Sequence, residues 1–124
     1  MTIDANIVID LLNGDLLIAQ AFKTWRASEL ALFLPTIAET EVLSLSKLTP
    51  IERKTIEKFI EENFISIPFD RSIARIAASI RRDYHLKLPD AAIAATAFYT
   101  RTPIVTRNVK DFRRITNLEV INIK

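Results

Sequence analysis

Residues 87–99 read KLPDAAIAATAFY. From Ala91 to Phe98 only Thr96 is polar, so a helix here is apolar on every face and belongs inside the protein. Asp90 stands at its entrance, directly after Pro89, where a carboxylate is either a helix cap or part of a site. A helix of this kind must be covered by other elements.

Short apolar runs alternate with helix-like stretches along the rest of the chain. Thr2-Ile3 is a very short extended piece ending at Asp4, and apolar residues crowd from Ile7 to Leu12 until Asn13-Gly14 turns the chain. Residues 16–27 have helical spacing, and Leu30–Leu34 is a short run ending at Pro35, of the length of a buried strand. A helix is predicted over 36–48. The next one marks its start with Thr49-Pro50-Ile51-Glu52: a capping hydroxyl, a proline at the first helical position and a glutamate three residues on. Phe64–Ile67, Pro103–Thr106 and Glu119–Ile123 have strand character. Asp70 can cap a helix in which Ile73, Ile76, Ala77, Ile80 and Tyr84 recur at helical spacing, and further helices are predicted over 90–101 and about 109–115. Strands that are continuous apolar runs indicate a parallel sheet covered on both faces. The expected fold is a three-layer α/β/α sandwich with a short, mainly parallel central sheet, in one domain over 1–124.

With 124 residues, 49% of them hydrophobic, the chain can build a sizeable core. It has no cysteine, which excludes a disulfide framework, a thiolate metal site and a cysteine nucleophile. Its single glycine, Gly14, excludes a glycine-rich phosphate loop. No apolar run approaches the roughly 20 residues that cross a bilayer, so no membrane association is expected and the expected location is the cytoplasm. The net charge of +2 is unevenly spread: residues 1–62 hold six Lys/Arg against ten Asp/Glu, and residues 63–124 hold eleven against five. A basic half of this kind is either a face for phosphates or a solvated surface.

In an open parallel sheet, sites form outside the carboxyl ends of the strands. Asp4 is at that end of the first strand, and Thr106, Arg107 and Asn108 are at that end of the strand beginning near Pro103. Glu41 falls within the apolar arc of Ile37, Ala38, Val42, Leu45 and Leu48 at about 100° per residue, whereas Glu39 points away from it. A buried unpaired carboxylate is costly, so Glu41 requires either a bound cation or a buried arginine. Asp4 can equally cap the helix that starts near Ala5, as Asp90 can cap its own. Three acids at element ends or on buried faces of one fold nevertheless point to a shared site. Clustered carboxylates repel unless a hard cation neutralises them, and Mg²⁺ or Mn²⁺ suits ligands that are all oxygen.

The runs IDANIVIDLL, TIAETEVLSL, LPDAAIAATA and IVTRNVKDF resemble, in order and spacing, the successive signatures of PIN-domain nucleases, and among them the VapC-type toxins. The resemblance covers essentially the whole chain. It implies a ribonuclease in which Asp4, Glu41 and Asp90 hold one or two divalent ions, with Asn6, Thr106 and Asn108 supporting the site. Many members carry an aspartate where this chain has Asn108, and the next acid here is Asp111. Asp111 is open to two readings, a further catalytic carboxylate or the third helical position of a cap begun by Asn108. Arg107 and Lys110, from the basic half, are the expected contacts to the RNA backbone. His85, the only histidine, is expected on an exposed helix end without a catalytic part, and Trp25 and the phenylalanines are expected in the core.

The resemblance also implies a homodimer blocked by a VapB-like antitoxin. Composition points the same way, since Ile7, Val8, Ile9, Leu11 and Leu12, then Leu16, Leu17, Ile18, Ala21, Phe22 and Trp25, exceed what one buried face of each helix requires. Deep burial of both helices would explain the same residues. Two rival readings remain. A phosphoryl-accepting receiver domain is also a small α/β sandwich, but it would carry paired acids after the first strand. A PIN-like module without catalysis would serve as an RNA-binding or interaction surface.

Overall fold

Thr2–Ile3 (β1) is only two residues long, both buried, and it is the central strand of the sheet. The computed structural model describes residues 1–123. β1 pairs in parallel with Phe33–Pro35 (β2) on one side and Ile104–Val105 (β4) on the other. Ile65–Ile67 (β3) and Val120–Ile121 (β5) complete a five-stranded parallel sheet in the order β3-β2-β1-β4-β5. Parallel neighbours need crossover connections. Here every crossover is helical, which places the sheet between layers of helices as the apolar runs had indicated.

Helices Ala5–Leu12 (α1), Leu16–Ala27 (α2), Thr36–Leu43 (α3), Pro50–Asn63 (α4), Arg71–Tyr84 (α5), Leu88–Thr100 (α6) and Val109–Arg113 (α7) follow from local chemistry. Asp15 and Asp70 accept the N–H of Ile18 and Ile73 and so cap α2 and α5, while Thr49 and Glu52 form the reciprocal capping box of α4. Each such cap contributes about 1 kcal/mol. α5 and α6 end in left-handed residues, His85 (φ 58°) and Arg101 (φ 55°). Phe22, Phe59 and Phe64 join α2 to α4 and to the start of β3, with ring centroids 5.7–6.1 Å apart.

α6 is the helix of the opening sequence. Every residue from Ala91 to Ala97 is buried, and the helix packs against α5, α3 and the strands β1, β2 and β4. Five alanines in that stretch keep its surface small enough for neighbours on several sides, and the one polar residue is satisfied internally, Thr96 Oγ1 donating to Ala92 O at 2.8 Å.

Some boundaries differ from the sequence-based expectation. α3 stops at Leu43 rather than 48. The Thr40 and Ser44 hydroxyls bond back to the carbonyls of Thr36 and Thr40, a local alternative that weakens helix continuation. α6 begins at Leu88, two residues ahead of Asp90, and the last strand is only Val120–Ile121. Trp25 is half-buried against the core, but Phe69 is exposed.

Candidate active site

Strand order reverses between β1 and β4, and the chain leaves the carboxyl ends of both at this point. Asp4 follows β1 and Thr106 follows β4. The Thr106 hydroxyl donates to Asp4 Oδ2 at 2.7 Å, the Asn6 amide reaches the same oxygen at 3.3 Å, and Ala5 N–H donates to Asp4 Oδ1 at 2.7 Å. Asp4 is thus both the N-cap residue of α1 and a carboxylate locked in one orientation. It is 5% exposed. Burial pushes its pKa up, the Thr106 and Ala5 bonds oppose that shift, and the charge of Asp90 adds to it.

Asp90 sits at the third helical position of α6 and makes no capping bond, so the helix-cap reading does not hold. Its half-buried carboxyl is raised first by burial and then by Asp111, with Lys87 opposing. Glu41 projects from α3. The expectation of a buried Glu41 is corrected here: the residue is exposed and Glu39 is the half-buried one, because α3 packs on α1, α4 and α6 and has no single apolar arc. No arginine pairs with Glu41 among the described residues, and its carboxyl is raised by local desolvation, then by Asp4 and Asp90. Exposed as a residue, Glu41 still shares the field of the other two acids.

Asn108 precedes α7 but its side chain does not cap it. Instead its amide donates to Asp111 Oδ2 at 3.1 Å, and its backbone N–H donates to Thr106 Oγ1 at 2.9 Å. The capping-box reading of Asn108 and Asp111 is therefore replaced by an amide that holds the carboxylate. Asp90, Asn108 and Asp111 line a cleft of about 340 Å³ together with His85, Leu86, Lys87 and Arg114. His85 is at an exposed helix end, as expected, yet it faces this cleft. Lys87 and Arg114 were not singled out from sequence. The position of Lys87, three residues before Asp90, was the available signal.

Of the two expected RNA contacts, Lys110 is exposed and lines a shallow groove with Val109, Arg113, Arg114 and Asn122. Arg107 is engaged within the protein, on Asp10 at 3.3 Å, Asp15 at 2.7 Å and the carbonyl of Ile123 at 3.1 Å.

Among the described residues no three Asp, Glu or His side chains converge closely enough to enclose a metal ion by themselves. The donor set nonetheless suits a hard cation. It is all oxygen, and Asp4, Glu41 and Asp90 are each raised by burial and by a neighbouring acid, the strain that a cation relieves. Mg²⁺ commonly takes only one or two carboxylates and completes its shell with water and substrate phosphate.

A ribonuclease VapC of Rickettsia bellii (strain RML369-C) is 26% identical over 132 residues, covering 99% of this chain and 96% of that protein. A toxin–antitoxin complex from Klebsiella pneumoniae contains a chain 32% identical, with a TM-score of 0.82 over 99% of this chain and 97% of that one. VapBC2 from Rickettsia felis, solved bound to a DNA fragment from its promoter, has the same fold with a TM-score of 0.84 at 20% identity, over 99% and 98% of the two chains. The PIN-domain family model matches residues 1–118, and this chain belongs to the PIN-domain family.

Proposed function

We propose that the chain is a VapC-type endoribonuclease that depends on Mg²⁺ or Mn²⁺ and acts as the toxin of a toxin–antitoxin pair. The observation that carries this reading is the locked Asp4 carboxylate, held by Thr106 and Asn6 within the electrostatic reach of Asp90 and Glu41. Its similarity to a ribonuclease VapC over nearly its whole length supports the reaction class.

Asp4 and Asp90 would hold the ion, with Glu41 and Asp111 beside them. When bound, the ion would make a water more acidic and offset the charge that develops on the scissile phosphate. The protein's own part is orientation. Thr106 and Asn6 prevent Asp4 from rotating, and the buried body of α6 keeps Asp90 in place. Asn108 holds Asp111 at the cleft wall, where Lys87, Arg114 and His85 supply the donors that can position a phosphodiester.

The chain would act as a homodimer inhibited by a VapB-like antitoxin. Its solved relative at 32% identity is part of a toxin–antitoxin complex. α2 also buries only Ile18 fully and leaves the adjacent Leu16 and Leu17 83% and 48% exposed, apolar surface that a second chain would cover.

Purified protein should cleave single-stranded or looped RNA in Mg²⁺ or Mn²⁺ and stop on addition of EDTA. Asp4→Asn and Asp90→Asn should abolish cleavage without unfolding the protein. Full activity in either variant would refute the assignment.

A further inference from the structure

We propose that Arg107 is a positioning residue that clamps the turn between β4 and α7, and that it does not contact the substrate phosphates. Every nitrogen of its guanidinium is engaged: Nε lies 3.3 Å from Asp10 Oδ2, Nη2 lies 2.7 Å from Asp15 Oδ2, and Nη1 donates to Ile123 O at 3.1 Å. These partners belong to the second half of α1, the N-cap of α2 and the chain beyond β5. Asp15 is itself immobilised, because its other oxygen accepts Ile18 N–H at 3.1 Å.

The main chain of the same residue faces the site. Arg107 N–H donates to Asn6 Oδ1 at 3.2 Å, and the next N–H, of Asn108, donates to Thr106 Oγ1 at 2.9 Å. Side chain and backbone together fasten the turn carrying Thr106 and Asn108 to the helix carrying Asn6. Charge argues the same way. One guanidinium between two carboxylates leaves the cluster net negative, which repels a phosphodiester. The side chains of Arg107, Asp10 and Asp15 are 32%, 39% and 31% exposed, so the network orients a turn more than it stabilises the fold.

The kinetic arms of the test rest on the ribonuclease reading above; the exchange arm does not. Arg107→Ala should lower kcat by about 10- to 100-fold, the usual scale for a misplaced group, with KM and its salt dependence nearly unchanged. Arg107→Lys should recover part of the loss, since an ammonium still reaches one carboxylate. The double variant Asp10→Asn/Asp15→Asn should lower kcat in the same sense, although it removes negative charge and asparagine still caps α2. A phosphate contact requires the opposite. Arg107→Ala would then raise KM and flatten the salt slope by about one, and the double variant would bind RNA more tightly with kcat intact. Either result overturns the clamp. Amide exchange at residues 106–109, followed by NMR without RNA, should accelerate in Arg107→Ala and in the double variant, and unchanged exchange would overturn it too. If the wild type fails to cleave RNA, the ribonuclease reading falls and the exchange result alone judges the clamp.

Discussion

Thr106→Val removes one hydroxyl at nearly constant volume and so isolates the main contact to Asp4. That hydroxyl donates to Asp4 Oδ2 at 2.7 Å and accepts Asn108 N–H at 2.9 Å. Thr106 is 0% and Asp4 5% exposed, so water cannot readily replace the lost partner. A hydrogen bond to a charged group contributes about 1.5–3 kcal/mol, and stranding a buried partner costs about 1–3 kcal/mol. Asn6 still reaches Asp4 Oδ2 at 3.3 Å, which limits the expected loss to roughly 3 kcal/mol. For a chain of this length that corresponds to a fall in Tm of about 12 °C.

The loss should depend on pH. The Thr106 bond favours the charged carboxylate, so removing it pushes the already raised pKa of Asp4 further up. An acid whose folded pKa lies above its unfolded one contributes stability that is complete below the unfolded pKa and is lost as pH rises through the folded pKa. The deficit of Thr106→Val should therefore be smaller in the acid range, where Asp4 is protonated in both states, and grow as the pH rises through its folded pKa. Thermal melts in EDTA across that range measure it. Thr2→Val is the control: its hydroxyl joins those of Thr102 at 2.8 Å and Thr100 at 3.1 Å, all neutral groups, so its deficit should be about 1 kcal/mol at every pH. A deficit for Thr106→Val as flat with pH as that of Thr2→Val would refute the picture of Asp4 as a buried carboxylate held by this hydroxyl.

Three further outcomes are expected. Glu41→Gln removes a charge disfavoured first by desolvation and then by Asp4 and Asp90, so in EDTA at neutral pH the variant should melt at or slightly above the wild type; a clear fall in Tm would reveal a favourable partner for Glu41. Because Asp4, Glu41 and Asp90 are all raised, the metal-free protein should lose stability as pH rises from the acid range through their folded pKa values. Millimolar Mg²⁺ should return stability at neutral pH by binding the folded state, and calorimetry showing no such gain would count against a cation at this site. Leu16→Glu, at a residue 83% exposed, should convert a dimer to a folded monomer by light scattering, and an undisturbed dimer would remove α2 from the interface.

The sequence by itself determined the parts that depend on neighbours a few residues apart. The capping box of Thr49 and Glu52, the cap at Asp70, and the almost wholly apolar surface of residues 91–97 are properties of one segment. Each has its own energetic signature in residue type and spacing. Alternating apolar runs and helical stretches were enough to indicate a parallel sheet between helices, and Asp4 was legible as an acid at a strand end. Of these, Asp4 also took part in a longer-range contact, with Thr106, that its local pattern did not show.

Only the tertiary structure decided which elements became neighbours. β1 lies between β2 and β4, so Asp4 and Thr106, 102 residues apart, share a hydrogen bond. The same placement brings Arg107 to Asp10 and Asp15 and sets Lys87, His85 and Arg114 around Asp90 and Asp111. Glu41 and Glu39 exchanged their expected exposures because α3 meets three helices at once, whereas periodicity assumes a single buried face. Helical and strand periods record which side of a segment avoids water, and they carry no information about which distant group will stand opposite. That pairing is chosen when the apolar faces pack together, and a charged or polar side chain takes whatever partner the packing brings within reach.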